Sequence, residues 1–193
     1  MSYLTDQLAQ EGCDPAALAL GLLNWNNNPN ANPTNAATLA TQTIFALAIW
    51  LPAGVRVSNV WLPFNVAKSA TTPPTGAFVG FGTGAAIQIQ SGNLNAHASW
   101  GAGTNWQILP IGAQYVTPLP NYYYVYLLVN GTWTGGAGTQ PTIVRGSTPA
   151  GLSMNNVFQV ATAGTGQTAL PANGAAVTLA TSGSPIGYCV GVN

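Results

Sequence analysis

The clearest hydrophobic pattern of this chain lies in residues 43–64 (TIFALAIWLPAGVRVSNVWLPF), which read as two long strands. Neighbouring side chains of a strand point to opposite faces of the sheet, and in residues 44–51 both faces are apolar. We expect such a strand in the interior, between two sheets, against another subunit or under the N-terminal segment. Pro52 and Gly54 predict a turn, since proline lacks an N–H and glycine adopts positive φ. The pattern therefore predicts a hairpin.

The alternation changes phase near Asn59 in the return strand. Val55 and Val57 share one face before that point. From Val60 onward, the apolar residues at every second position share a face of their own. A phase change of this kind indicates a β-bulge or a bend by which a strand moves between sheets.

The remainder of the chain from Thr38 onward reads as short strands separated by Gly-, Pro- and Thr-rich turns. The further predicted strands cover residues 77–82, 86–90, 106–109, 121–129, 142–145, 157–160, 175–180 and 188–192. Residues 121–129 (NYYYVYLLV) are again apolar on both faces, which predicts a second central strand. Short strands at this spacing predict a mainly β fold over residues 37–193, an antiparallel, jelly-roll-like β-sandwich.

The N-terminal residues carry the only convincing helical pattern. Gly12 predicts the end of a first helix, and Asp14 and Pro15 predict the cap and first residue of a second that continues to Trp25. The apolar positions of the two helices, which are the predicted anchor and partner-binding residues, are Leu4, Leu8, Leu18, Leu22, Leu23 and Trp25.

Helices this short are marginal in water, so they need a surface to pack on. That surface is either a partner protein or the chain's own β domain, and the two arrangements can hold together. An Asn- and Pro-rich stretch follows the helices. Residues 1–36 are therefore predicted to form a short helical anchor and a linker.

The most informative feature of the composition is the low fraction of charged residues. Of 193 residues, 47% are hydrophobic and only 3% are charged, whereas soluble domains average about a quarter charged residues. Aromatic residues occur throughout, so a folded chain is favoured over a disordered one. Three scattered cations, Arg56, Lys68 and Arg145, do not form the basic stripe that nucleic acid needs. A nearly uncharged chain is typical of proteins inside an assembly or on a particle surface.

The sequence shows no sign of export or membrane insertion. No apolar run approaches the roughly 18–20 residues of a membrane span, and the N-terminus lacks the basic and apolar regions of a signal peptide. We therefore expect synthesis in a cytoplasm, where Cys13 and Cys189 stay reduced. A disulfide between them is the alternative once the protein is released from the cell.

Candidate catalytic groups are too few for the common enzyme mechanisms. The side-chain carboxylates are Asp6, Glu11 and Asp14, so the predicted β domain lacks both a glycosidase pair and an acidic cage for Ca²⁺ or Mg²⁺. His97 is the sole histidine, and the chain has neither a nucleophile motif nor a zinc-binding pattern. We predict a protein that is not an enzyme, with no catalytic residue, metal site or cofactor.

Aromatic side chains remain as candidates for ligand binding, since an aromatic face can stack on a sugar ring without any charge. Trp100, Trp106 and Trp133 lie near Gly- and Asn-rich loops, and they are the predicted glycan-stacking residues. The alternative is a place in the core or at a subunit interface. That alternative is favoured for Trp61 and for the tyrosines of residues 122–126.

The order of five segments carries a family resemblance. These segments are residues 40–60 (ATQTIFALAIWLPAGVRVSNV), 76–81 (GAFVGF), 121–132 (NYYYVYLLVNGT), 141–146 (PTIVRG) and 158–172 (FQVATAGTGQTALPA). In them the chain resembles the β-sandwich modules of minor tail and virion surface proteins from tailed phages of actinobacteria. The resemblance implies a virion surface module without enzymatic activity that is commonly oligomeric. It implies no functional residues, because the shared positions look like core and turns.

Together, composition and resemblance predict a structural protein of a tailed-phage virion that is assembled in the host cytoplasm and attached by its N-terminal helices. The expected partners are further copies in a homotrimer, tail or major capsid proteins, and host cell-wall glycan, but neither nucleic acid nor a membrane. Such modules usually follow a long fibre or tail segment, whereas residues 1–36 precede the sandwich here. Decoration of the capsid head is therefore the alternative, and a carbohydrate-binding receptor module is a further one.

Overall fold

Two antiparallel sheets packed as a β-sandwich form the body of the protein, which confirms the predicted fold class. The structure is a computed structural model. It describes residues 3–25, 36–66, 74–97, 106–131, 142–144, 160–181 and 190–193. Strand residues far outnumber helical residues in this described part, which is therefore mainly β.

The described residues contain two helices and twelve strands. The helices are α1 (Tyr3–Gln10) and α2 (Pro15–Ala19). The strands are β1 (Asn24–Trp25), β2 (Ala36–Thr38), β3 (Ile44–Leu51), β4 (Arg56–Val66), β5 (Gly76–Thr83), β6 (Ala86–Gln90), β7 (Trp106–Val116), β8 (Asn121–Asn130), β9 (Thr142–Val144), β10 (Val160–Gly164), β11 (Ala180–Thr181) and β12 (Gly191–Val192). The first sheet has the order β1-β12-β4-β9-β2, with β7 also paired to β4. The second has the order β11-β10-β3-β8-β5-β6.

The main core lies between the two sheets. The core-side residues of β3 and β8 are Phe45, Leu47, Ile49, Leu51, Tyr123, Val125, Leu127 and Val129. They pack with inner side chains of β4, β5 and β7, among them Val60, Phe81 and Leu109. The alternation predicted for β3 and β8 is therefore confirmed. Each large aliphatic side chain buried in this way stabilises the fold by about 1.5–3 kcal/mol.

The opposite face of β3 and β8 is also buried, and the chain itself covers it. The second cluster contains Ile44, Ala46, Ala48, Ile87, Tyr124, Tyr126, Leu128, Ala161 and Leu170, with Val177 and Leu179 packed against it. Hydrogen bonds tie the covering residues to β6 and its turn: Gly174 N donates to Ile87 O (2.7 Å) and Val177 N to Ala85 O (2.8 Å). Residues 170–179 of this chain therefore cover the second apolar face, beside Ala161 and Ala163 of β10 in the same sheet.

The predicted hairpin between β3 and β4 is wrong. The turn at residues 52–54 does form, with Gly54 at φ +75°. However, β3 pairs with β8 and β10, whereas β4 pairs with β7, β9 and β12. Thr117 holds the connection, since Gly54 N donates to Thr117 O (2.7 Å) and Thr117 Oγ1 donates to Pro52 O (2.6 Å). The turn therefore carries the chain from one sheet to the other, and the two strands face each other across the core.

The phase change in β4 is confirmed as a β-bulge. The register between β4 and β7 shifts between Val57 and Asn59. Val57 and Val60 are both fully buried although three positions separate them. Over this shift the partner in β7 changes from Tyr115 to Pro110, so the additional residues lie in β7. The irregular register lets both halves of β4 present apolar side chains to the same core.

The second helix is shorter than predicted. Asp14 caps α2 and Pro15 occupies its first turn, as expected, but the helix ends at Ala19. Gly21 follows with φ +80°, a left-handed conformation that ends helices. Residues Asn24–Trp25 then form β1, which pairs with β12, so the predicted helix through Trp25 is wrong. The N-terminal unit thus contributes a strand to the first sheet.

Several other predicted boundaries change. Strand β7 continues to Val116 instead of ending at Leu109, and β10 begins where the predicted strand 157–160 ends. The predicted strand 175–180 is reduced to an isolated bridge between Ala176 and Ala86 and to the start of β11. Most of the predicted linker, residues 26–35, lies outside the described residues.

Candidate functional site

The predicted anchor residues pack largely on the chain's own sandwich. Leu22 and Trp25 are 3% and 6% exposed, and they cluster with Ala17 against Trp61 of β4. Leu8 is buried, and Leu23 packs against the main core. Leu18 is partly buried, and the side chain of Leu4 lies outside the described residues. Buried side chains are not available to a second protein, so a partner would have to contact the remaining surface of this segment.

Among the described side chains of this segment, Leu20 is the large apolar one that is exposed. It follows the end of α2 and is 53% exposed. Because it lies two residues before the buried Leu22, it sits on a segment that is itself fixed to the sandwich. Leu20 is therefore the candidate contact residue of the N-terminal segment.

The side chains of the three predicted glycan-stacking residues lie outside the described part of the structure. Trp100 and Trp133 lie outside the described residues. Trp106 begins β7, where its backbone pairs with Pro63, but its side chain is not among the described ones. No common site of these three residues can therefore be built, and their role stays a prediction.

Asp14 and Asn24 hold the N-terminal segment together. Asp14 Oδ1 accepts from Ala16 N (2.8 Å), which caps α2, and Asp14 Oδ2 accepts from Trp25 Nε1 (2.8 Å). Asn24 Oδ1 accepts from the backbone N–H groups of Asp14 and Trp25, both at 3.0 Å. These four bonds close the loop between α2 and β1.

Trp50 connects this segment to the second sheet. Asn24 Nδ2 donates to Trp50 O (2.8 Å), and Trp50 Nε1 donates to Glu11 O (3.1 Å). In the part of the chain that the structure describes, β10 pairs only with residues 44–47 of β3. The N-terminal segment thus satisfies polar groups on the remaining edge of β3, which would otherwise be a site for unwanted strand pairing.

A cleft of about 460 Å³ lies where this segment meets β3 and β8. Its lining residues are Gly12, Asp14, Pro15, Asn24, Trp25, Ala48, Ile49, Trp50 and Tyr122. The rings of Trp50 and Tyr122 contact each other in a T-shaped arrangement with centroids 5.3 Å apart. Tyr122 is 41% exposed and Trp50 is partly exposed, so aromatic surface borders the cleft. Asp14 contributes the only charged side chain of this lining.

This cleft was not predicted from the sequence. The sequence predicts Asp14 as a helix cap, Trp50 on a strand face and Tyr122 in the core or at a subunit interface. Tyr122 lies instead at the cleft and is 41% exposed, so it does not belong to the core. The available signal was the pair Asn24 and Trp25, because an amide beside an indole interrupts an otherwise apolar run. Its meaning depends on the packing of segments that lie far apart in the chain.

A second cleft, of about 310 Å³, contains only uncharged residues: Thr41, Gln42, Thr75, Gly76, Phe78, Asn93, Asn130, Gly131 and Thr168. The Asn130 amide crosses it, accepting from Gln42 N (3.0 Å) and donating to Thr168 O (2.9 Å). Its polar atoms thus already join three parts of the backbone, which is a structural role.

Reactive groups are isolated in the described part of the chain. Cys13 is 3% exposed, and burial, followed by the charge of Glu11, raises its pKa to about 11. Its thiol is therefore neutral and a poor nucleophile. His97 ends a turn in which its N–H donates to Leu94 O (2.9 Å). Among the described residues, no three His, Cys, Asp or Glu side chains are grouped to hold a metal ion. Neither described helix is long and apolar enough to cross a membrane.

Comparison with known proteins adds no relative. No protein-family model matches the chain, and no characterised protein matches its sequence. The function therefore has to be argued from the residues and their geometry.

Proposed function

We propose that this protein is a non-enzymatic structural component of a tailed-phage particle, displayed on the surface as a β-sandwich and attached through its N-terminal segment. The observation that carries the proposal is where the resembling segments lie in the fold. Residues 40–60, 76–81 and 121–132 supply β3, β8 and parts of β4 and β5, so they make up much of the main core. A charged fraction of 3% supports a place in an assembly.

The attachment surface is proposed to include Leu20. It is 53% exposed, whereas its neighbours Leu22 and Trp25 fix the segment to the sandwich. Leu119 offers a matched control, since it is 66% exposed in the loop between β7 and β8 and belongs to the sandwich body. Leu20→Ser should lower the amount of protein on purified particles severalfold, while Leu119→Ser leaves it unchanged. Equal incorporation of both variants would contradict attachment through this segment.

The number of copies per particle distinguishes the two proposed positions. A minor tail position requires few copies, whereas decoration of the head requires many. Quantitative mass spectrometry of gradient-purified particles, calibrated against the major capsid protein, measures this number. Absence of the protein from the particles would overturn the proposed function.

Self-association as a homotrimer is part of the proposal. The second apolar face of β3 and β8 does not support a trimer, because residues 170–179 cover that face. Its support is the low charge together with exposed apolar side chains, including Ile108 and Val116 of β7. Light scattering at micromolar concentration should give three times the 19.7 kDa chain mass. A monomeric mass would remove the trimer and leave the rest of the proposal standing.

A further inference from the structure

We propose that the cleft bordered by Asp14, Trp50 and Tyr122 binds an uncharged saccharide. This goes beyond the proposed function, because a structural protein of a particle needs no ligand. It also concerns the purified chain, so it can be tested without any particle. The cleft volume of about 460 Å³ lies within the roughly 300–1,000 Å³ that small-molecule sites occupy.

The aromatic surface suits the apolar face of a sugar ring. Aromatic faces carry partial negative charge, so the C–H groups of a pyranose pack favourably on them. Tyr122 offers ring surface to solvent, being 41% exposed, and its ring is braced by the T-shaped contact with Trp50. Trp50 is in turn held by its hydrogen bond to Glu11 O. A surface that is already fixed loses little conformational freedom when it binds.

The polar groups suit the hydroxyls of a sugar. Each oxygen of the Asp14 carboxylate accepts one protein hydrogen bond, from Ala16 N and Trp25 Nε1 respectively. A carboxylate oxygen has two acceptor sites, so with respect to the described residues each oxygen retains one. Asn24 Nδ2 donates to Trp50 O and has a second N–H. The lining thus combines acceptor and donor capacity, and a hydroxyl group can satisfy either.

The charge of Asp14 sets which ligands are excluded. It is the only charged side chain of the lining, so a uronic acid or a phosphorylated sugar would be repelled. A guanidinium or ammonium group would be attracted by the same carboxylate and rings. The second N–H of Asn24 is a donor, and a hydroxyl oxygen can accept from it whereas a guanidinium or ammonium group cannot. Asn24 therefore favours a sugar over such a cation.

The experiment is a titration of the purified full-length chain by calorimetry and tryptophan fluorescence. The neutral probes are the methyl glycosides of glucose, galactose and mannose, together with cellobiose and maltose. The charged probes are glucuronic acid and methylguanidinium. We expect at least one neutral probe to bind more tightly than both charged ones.

Two variants of cleft residues and one control variant test whether the probe binds in the cleft. Tyr122→Ala should weaken it roughly tenfold, the loss expected for one stacked ring, and Leu119→Ala should leave it unchanged. Asp14→Asn removes the negative charge and keeps one carbonyl oxygen, which can still cap α2. It should therefore retain binding of the neutral probe while reducing the discrimination against glucuronic acid.

Four results would overturn the inference. These are no binding of any neutral probe at tens of millimolar, tighter binding of methylguanidinium, unchanged binding in Tyr122→Ala, and loss of binding only in Trp100→Ala or Trp133→Ala. If Tyr122→Ala fails to fold, the change of charge discrimination in Asp14→Asn decides the question. None of these results bears on whether the protein is present in particles, so the two proposals fail independently.

Discussion

The indole nitrogen of Trp25 donates a 2.8 Å hydrogen bond to the carboxylate of Asp14. The other oxygen of this carboxylate caps α2. One side chain therefore fixes both the start of the helix and the strand that joins the first sheet. This bond also places the carboxylate at the cleft, beside Trp50 and Tyr122.

The first prediction concerns the stability that Asp14 provides. Asp14→Ala should lower the free energy of unfolding by about 2–3 kcal/mol, because it removes a helix cap worth about 1 kcal/mol and leaves the Trp25 N–H without its acceptor. Asp14→Asn has a single carbonyl oxygen, so it can keep the helix cap but cannot also accept from Trp25, and it should cost about 1–2 kcal/mol, less than Asp14→Ala. Urea denaturation measures both. Equal stability of the Ala variant and the wild type would show that these bonds do not hold the segment.

The second prediction concerns the cover over the outer face of the second sheet. Leu170 is 6% exposed and belongs to the cluster that includes Tyr126 and Leu128. Leu170→Ala should lower the free energy of unfolding by about 2–4 kcal/mol, since it opens a cavity in that cluster. The exposed Leu119→Ala serves as control and should change it by no more than about 0.5 kcal/mol. Similar small effects of both variants would mean that residues 170–179 do not close this face in solution.

The third prediction tests the close approach of β7 to β6. Gly112 has φ +94°, and a Cβ built there would lie 2.5 Å from Gln90 O. Gly112→Ala should cost at least about 2 kcal/mol, because both the backbone conformation and the contact disfavour a side chain. Gly92→Ala should be nearly neutral, since nothing lies within 4 Å of its added Cβ. Thermal unfolding of the pair measures the difference, and a Gly112→Ala protein with wild-type Tm would rule out this packing.

The fourth prediction is a pH dependence that originates at Cys13. Its pKa is raised to about 11 by burial and by Glu11, above the roughly 8.5 of an exposed thiol. The unfolded chain therefore releases this proton first. The contribution of the Cys13 thiol to the free energy of unfolding is therefore present in full below about pH 8.5, and it is lost as the pH rises toward about 11.

Comparison of variants isolates the contribution of Cys13 from that of Tyr124 and Tyr126, whose pKa values are also raised by burial. Cys13→Ala should show a shallower loss of stability between pH 8.5 and 11 than the wild type, and the exposed Leu119→Ala should keep the wild-type slope. Denaturation midpoints at a series of pH values give the slopes. Identical slopes in all three proteins would mean that the Cys13 thiol is as accessible to water as in the unfolded chain.

The strands could be predicted largely because their signal is local. The alternation of apolar positions in β3 and β8 specifies both faces, and Asp14 with Pro15 specifies the start of α2. The pairing of strands is not local. Whether β3 pairs with β4 or with β8 depends on contacts such as Ile44 with Leu128, and short-range patterns do not encode these.

The candidate site depends even more on contacts between residues that lie far apart in the chain. Asp14, Trp50 and Tyr122 each carry a recognisable local role as cap or strand residue, and none of these roles implies a cleft. Gly21 could have indicated the early end of α2. The strand that follows it, β1, exists because β12 offers an edge to pair with, and that edge comes from the opposite end of the chain.

A cryo-EM map of intact particles tests the central claim most directly, namely that this chain is a surface protein of a phage particle attached by its N-terminal segment. We predict density for the sandwich on the outside of the particle, with Leu20 facing the neighbouring virion protein and Leu119 directed toward solvent. A map without this sandwich, or one in which the N-terminal segment faces solvent while the sandwich makes the contact, would contradict the account.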